Sequence, residues 1–265
     1  MIPRPVNTNA KLCASQFSNV AKRVLVLVHG WGAGASVWKP LAAELEPWRS
    51  VAMPNLPGYG AAPVCTPYTL EEIVGSLARR APPRCDVVGW SLGALVALAW
   101  AQRAPQQVTR LGLIAATPCF AQRADWRHAT APAVLARFAE GLSADSAGAL
   151  WRFISLETQG DVKARQVARQ LREAHAARDG PAAEALAAGL RLLLETDMRG
   201  ALASIPQPAL VIHGDRDGIA PLAAGKHLSR CLPNARLLVV PGAAHAPFLS
   251  QTRTVAAALL EFLND

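Results

Sequence analysis

The sequence predicts an α/β protein, with a mostly parallel sheet, helices on both of its faces and a helical cap inserted in the middle of the chain. Three observations predict it. Short apolar, β-rich runs alternate with segments of helical spacing, the pattern of successive βαβ units. The leading strand run is apolar throughout, as in strands covered on both faces. From Thr117 to about Asp197 strand-like runs vanish and Ala-, Arg- and Leu-rich helical segments follow one another. That stretch reads as an insertion over the carboxyl edge of the sheet, where open α/β sheets bind ligands.

The elements follow in order. RVLVLV (Arg23–Val28) is the first strand and ends in 29-HGWGAG-34. Helical spacing covers Ser36–Leu45, a strand covers Arg49–Met53, and the turn-rich 54-PNLPGYG-60 comes next. A helix is expected over Leu70–Ala81, a strand over Asp86–Val88, a helix over Leu92–Arg103 and a strand over Val108–Ala115. Breaks in the helical stretch fall near Ser143, Gly160 and Gly180-Pro181. Strand character returns at Ala209–Ile212, followed by a helix at Leu222–Cys231, a strand at Arg236–Val240 and a helix over Thr252–Leu263. The expected division is a loose leader over 1–22, a core over 23–120 and 197–265, and a cap over 121–196.

The 265 residues are 51% apolar, enough for a large core. No apolar run reaches the roughly 20 residues that span a bilayer, and the leader has no signal-like apolar segment, so no membrane role is expected. The five cysteines (Cys13, Cys65, Cys85, Cys119 and Cys231) are scattered and form no C-x-x-C pair. They suggest neither a disulfide framework nor a zinc site, and a reducing cytoplasm is the simplest setting. Cys119 reads as a small buried filler. The formal charge of +8 favours an anionic substrate or an acidic protein partner, although a compositional bias toward Arg and Ala yields the same charge. Nucleic acid is not expected, because there is no basic run with interleaved aromatics and no recognition motif. No phosphate loop or metal-ligand cluster is present, and 30-GWGAG-34 lacks full G-x-G-x-x-G spacing. No cofactor and no metal are expected.

Gly89-Trp90-Ser91-Leu92-Gly93 matches G-x-S-x-G, which average composition supplies by chance in about one chain of this length in ten. Its context narrows the meaning. A strand precedes it and a helix follows, as a serine exposed on a strained strand-to-helix turn requires. A serine hydroxyl needs a general base, and the base needs an orienting carboxylate. In this architecture the carboxylate and the histidine follow late strands, in that order. Asp215 and Asp217 follow the strand at Ala209–Ile212, and His245 follows the strand at Arg236–Val240. Asp217 is the expected orienter, because Gly214-x-x-Asp217 carries it one turn past the strand end; Asp215 is expected to bond within the loop. His29, His128, His175, His213 and His227 lie in other motifs or in helical and strand-end positions. The oxyanion donors are expected to be the Leu92 N–H, at the start of a helix, and the Trp31 N–H, in the glycine-rich loop after the first strand.

HGWG, 55-NLPGYG-60, GWSLG, 117-TPCF-120, GDRDG and 243-AAHAPF-248 together resemble the α/β-hydrolase superfamily. More narrowly, the chain from Val24 onward resembles the pimeloyl-[acyl-carrier protein] methyl ester carboxylesterases of biotin synthesis. The resemblance implies the α/β-hydrolase fold and a serine rather than the aspartate nucleophile of dehalogenases and epoxide hydrolases. It implies a pimeloyl methyl ester, carried by an acidic acyl-carrier protein, as substrate. It further implies that Arg152, Arg165 and Arg169 hold the carrier and that Phe153 lines the acyl channel. From spacing alone, Arg165, Arg169 and Arg172 share one helix face, a geometry that also suits a solvated surface. Two positions depart from the family: Asn55 stands where an Asp is usual before LPG, and Gly148 stands where a cap arginine is usual. A monomer is expected. The alternatives are a broad small-ester carboxylesterase or C–C bond hydrolase on the same triad, and a non-catalytic receptor that keeps the pocket.

Overall fold

Six parallel strands form the sheet, in the order β2-β1-β3-β4-β5-β6, in a computed structural model that describes residues 23–176 and 180–265. The leader expected over 1–22, with Cys13, lies outside the described residues. The strands are β1 (Val24–Val28), β2 (Val51–Ala52), β3 (Cys85–Trp90), β4 (Val108–Ile114), β5 (Ala209–Gly214) and β6 (Ala235–Val240). The helices are α1 (Lys39–Leu45), α2 (Leu70–Ala78), α3 (Leu92–Arg103), α4 (Pro132–Ala144), α5 (Ser146–Thr158), α6 (Ala164–Ala176), α7 (Ala183–Glu195), α8 (Leu222–Cys231), α9 (Pro247–Ser250) and α10 (Thr252–Asn264).

The continuous apolar run of β1 is explained by burial on both faces. Side chains of a strand point alternately to its two faces. Val26 and Val28 therefore enter one core with Ile73 and Leu77 of α2 and Leu95 and Leu98 of α3. Leu25 and Leu27 enter the other, with Leu41 and Leu45 of α1 and Leu259 and Phe262 of α10. At the amino edge of the sheet Asp86 is fully buried between Arg23 (3.6 Å) and Arg49 (3.5 Å). Arg49 also donates to the Leu263 carbonyl and to Asn264 Oδ1, tying β3 to the end of α10. Helix α2 starts on a cap in which Thr69 Oγ1 accepts the Glu72 N–H, with Glu71 and Glu72 in the positive first turn.

Several boundaries differ from expectation. The strand at 49–53 shrinks to Val51–Ala52, because it pairs only with β1 through Leu25 and Val26. The first helix opens as a 3₁₀ turn, Ala35–Trp38, and α2 ends at Ala78. Strand β3 continues through Gly89 and Trp90, which pair with Leu113 and Ile114. The helices between β4 and β5 begin at Pro132 rather than Thr117; residues 117–131 form an irregular loop held by an Ala121–Thr130 bridge. Proline suits a first helical position and so marks that start. Among the described residues no helix is long and apolar enough to cross a membrane.

Candidate active site

The direction of strand progression reverses between β1 and β3, which are adjacent and in register, Val28 opposite Gly89. Such a reversal opens a crevice at the carboxyl ends of the strands. The loops carrying Trp31 and Ser91 leave these two strands side by side.

Ser91 stands between β3 and α3 at φ 55, ψ −118, a region that residues with a side chain rarely adopt. Its N–H donates to the Ile114 carbonyl at 3.0 Å. The strain falls on the serine, not on its glycines. Gly89 and Gly93 are needed for close approach: a Cβ on Gly93 would lie 2.1 Å from the Val28 carbonyl oxygen. The end of β1, the end of β3 and the start of α3 are thus pressed together.

The structure brings Ser91, His245 and Asp217 into one hydrogen-bonded chain. His245 Nε2 accepts from Ser91 Oγ at 2.9 Å, and its Nδ1–H donates to Asp217 Oδ2 at 2.8 Å. All three are buried, at 3%, 0% and 6% exposure. Asp217 Oδ1 accepts the N–H groups of Ile219 and Ala220, each at 2.9 Å. Those bonds leave Oδ2 for the imidazole. Asp215 turns the other way and accepts the Gly242 N–H at 2.7 Å. His245 is held from both sides of its backbone. Trp90 Nε1 donates to its carbonyl at 2.8 Å, and its N–H donates to the Glu157 carbonyl at 3.1 Å.

The amides of Trp31 and Leu92 find no acceptor among the described residues, whereas the Gly32 N–H between them in the chain is taken by Tyr59 Oη at 3.1 Å. Leu92 N–H opens α3, where the helix dipole favours negative charge. The Trp31 side chain is anchored by its Nε1–H on the Leu186 carbonyl of α7, at 2.9 Å, and by an edge contact with Phe153 at 4.8 Å. Phe153 also meets Phe138 edge-on at 5.7 Å and lines a cavity of about 260 Å³ with Leu135, Leu156 and Ile219.

Three other buried groups shape the site, and sequence reasoning left them unassigned. His29 is neutral: its Nδ1–H donates to Gly30 O at 2.9 Å and its Nε2 accepts the Leu56 N–H at 3.1 Å. Burial pushes its pKa down to about 4. His213 donates through Nε2 to the Ala220 carbonyl at 2.6 Å, and burial likewise lowers its pKa. Glu157 of α5 is 1% exposed; burial, with Asp217 nearby, raises the pKa of its carboxyl well above the usual range. HGWG flags the loop that follows His29 but not what its imidazole does, and no motif flags His213 or Glu157.

Arg152 on α5 and Arg165 and Arg169 on α6 are exposed. On α6 they stand opposite the buried Val167, Leu171 and Ala174. Arg169 pairs with Glu173 at 3.8 Å, and Arg172 lies 5.6 Å from the ring centre of the exposed Trp151.

This fold and this arrangement define a hydrolase of the serine type, and residues 25–258 match the Alpha/beta hydrolase family, to which the chain belongs. Among its relatives, the pimeloyl-[acyl-carrier protein] methyl ester esterase of Edwardsiella ictaluri is 40% identical over 243 residues, 92% of this chain and 94% of that one. The pimeloyl-[acyl-carrier protein] methyl ester esterase of Xanthomonas campestris pv. campestris is 43% identical over 241 residues, covering 90% of this chain and 94% of its own. The fold is shared with solved structures of low identity. An esterase from Exiguobacterium antarcticum has TM-score 0.82 at 18% identity, and a bromoperoxidase from Bacillus anthracis has 0.84 at 21%, each covering 92% of both chains.

Proposed function

We propose that the chain is a serine carboxylesterase that hydrolyses the methyl ester of a pimeloyl group carried on acyl-carrier protein. The products are methanol and the free pimeloyl carboxylate, in biotin synthesis. The observation that carries the chemistry is the continuous Ser91–His245–Asp217 chain at 2.9 and 2.8 Å. The substrate rests on the relatives of this name, which the chain matches over nine-tenths of its length.

In this reading His245 takes the Ser91 proton as Oγ attacks the ester carbonyl, and Asp217 stabilises the imidazolium that forms. The Trp31 and Leu92 amides receive the tetrahedral oxyanion. His245 then protonates the leaving methoxide, methanol departs, and a water activated by the same imidazole releases the acyl group. Phe153 and the apolar cavity behind it take the acyl chain. The helices α4–α7 act as a cap, and Arg152, Arg165 and Arg169 offer guanidinium groups to the acidic carrier. The enzyme works as a cytoplasmic monomer without metal or cofactor.

Replacing Ser91 by Ala is expected to lower turnover to on the order of a millionth while the circular dichroism stays native. Near-normal hydrolysis by Ser91→Ala removes the assignment. Stoichiometric labelling of Ser91 by a fluorophosphonate separates an enzyme from a receptor. For the substrate, the comparison is between a carrier-bound pimeloyl methyl ester and a p-nitrophenyl ester. Charge reversal at Arg165 and Arg169 should weaken the first reaction and spare the second; equal losses on both refute the docking role.

A further inference from the structure

The end of α5 and the turn that leads to α6 hold the loop that carries His245 at three places. Val162 N–H donates to the Gly242 carbonyl at 2.9 Å. Asp161 Oδ2 accepts the Ala244 N–H at 2.9 Å. The Glu157 carbonyl accepts the His245 N–H at 3.1 Å. The turn also reaches the Asp217 loop, where Arg216 Nη1 donates to the Gly160 carbonyl at 3.0 Å. Lys163 Nζ reaches Ser250, past the histidine, with a bond of 2.7 Å to its carbonyl.

Within this turn Asp161 is the one side chain that contacts the histidine loop through a charge. It is 7% exposed, and both its oxygens are used: Oδ1 accepts the Lys163 N–H at 2.7 Å, which shapes the turn, and Oδ2 takes Ala244. A carboxylate accepting backbone N–H groups makes stronger bonds than a neutral acceptor. The loop it holds has no room to retreat toward β5, because a Cβ on Gly214 would lie 2.3 Å from the carbonyl oxygens of both Ala243 and Ala244. On the far side of the histidine, Trp90 fixes the carbonyl. The imidazole therefore hangs from a short segment whose placement is set on one side by the nucleophile's own strand and on the other by Asp161.

We propose that Asp161 is a positioning residue: by holding the Ala244 amide it sets the His245 imidazole against Ser91, and it ties that placement to the α5–α6 helix pair. This rests on the reading of His245 as the general base. A displacement of about 1 Å at a catalytic group can cost on the order of a hundredfold in rate, so losing this anchor should show in turnover more than in binding.

The test is the hydrolysis of a p-nitrophenyl ester by Asp161→Ala and Asp161→Asn. Rates are normalised to the serines labelled at the end point by a fluorophosphonate. Asp161→Ala is expected to lower kcat per labelled site by about tenfold to a hundredfold and to leave KM within about twofold. Asp161→Asn has a single amide oxygen for two N–H donors and should fall between it and the native enzyme. A purely structural role lowers the labelled fraction and leaves kcat per labelled site unchanged; that result overturns the proposal. If Asp161→Ala does not fold, Asp161→Asn carries the same readout, and native kcat per labelled site in it is equally fatal. His245→Ala separates the two levels. Retained turnover in His245→Ala removes the general-base reading itself. Lost turnover there, with native kcat per site in the Asp161 variants, removes only this inference.

Discussion

Gly89 and Gly93 lie back to back across Ser91: a Cβ on Gly89 would fall 2.1 Å from the Gly93 carbonyl oxygen. That contact involves backbone, which no side-chain rotation relieves. Substituting Gly93 by Ala must push α3 away from the end of β1, since its Cβ would also meet the Val28 carbonyl. The Leu92 and Trp31 amides would then separate. Turnover in Gly93→Ala is expected to fall about a hundredfold or more, or the chain not to fold. Steady-state kinetics with circular dichroism checks this; native kinetics in a folded variant would show that the close approach is not needed.

The positive φ of Ser91 has its own energetic signature. Such backbone costs about 1–3 kcal/mol, and glycine relieves it while losing about 0.4–1 kcal/mol through the unfolded chain. Ser91→Gly should therefore be more stable than Ser91→Ala by about 1 kcal/mol, although both are inactive. Chemical denaturation of the two variants decides it. Equal midpoints would mean that the turn stores no strain.

Histidine 29 predicts a pH effect. It is buried as the neutral form, with its pKa lowered from 6.5 to about 4 chiefly by burial. Between those values the unfolded chain binds a proton that the folded chain does not. Its contribution is complete above about pH 6.5 and declines as pH falls toward about 4. His29→Phe keeps a ring but loses the bonds to Gly30 and Leu56. It should be less stable at pH 7.5 by about 1–3 kcal/mol, with the difference narrowing at pH 5. Melting curves at the two pH values test this, and a constant difference would contradict it.

Glu157 acts in the opposite sense. Its carboxyl is raised by burial and then by Asp217, so the folded chain retains a proton that the unfolded chain releases above the ordinary value of 4.5. Stability attributable to it falls as pH rises from there. Glu157→Gln removes that dependence and should melt above the native protein at pH 8 but not below pH 4.5. A variant that melts lower at pH 8 would mean that Glu157 is ionised and paired.

The alternation of strands and helices was legible because hydrophobic periodicity survives in a single chain. The β1 run was legible in another way, as a continuous apolar stretch, since its two-sided burial removes any alternation. Less legible were places where one residue type serves opposite ends. Gly89 looks like the close of a strand, yet it is paired in β3; the position is glycine because the Gly93 backbone leaves no room for a side chain there. Residues 117–131 carry the Ala- and Arg-rich composition of the helices that follow, but they are held as loop by Thr117, Trp126 and Thr130. At the site, the order of Ser91, Asp217 and His245 along the chain identified residues that meet in space. Asp161 and Glu157 carried no such signal, because their contacts come from the end of α5 and the turn after it, packed against a loop more than eighty positions later in the chain.

Ser91 and His245 are 154 positions apart, and their contact exists only once β5 and β6 have joined the sheet. Long-range parallel pairing is the slow part of folding. A chain in which β5 and β6 have not joined the sheet would lack His245 beside Ser91 and could not carry out the proposed hydrolysis. Recovery of ester hydrolysis after dilution from denaturant is therefore expected to time the docking of these strands and to follow the return of helical signal.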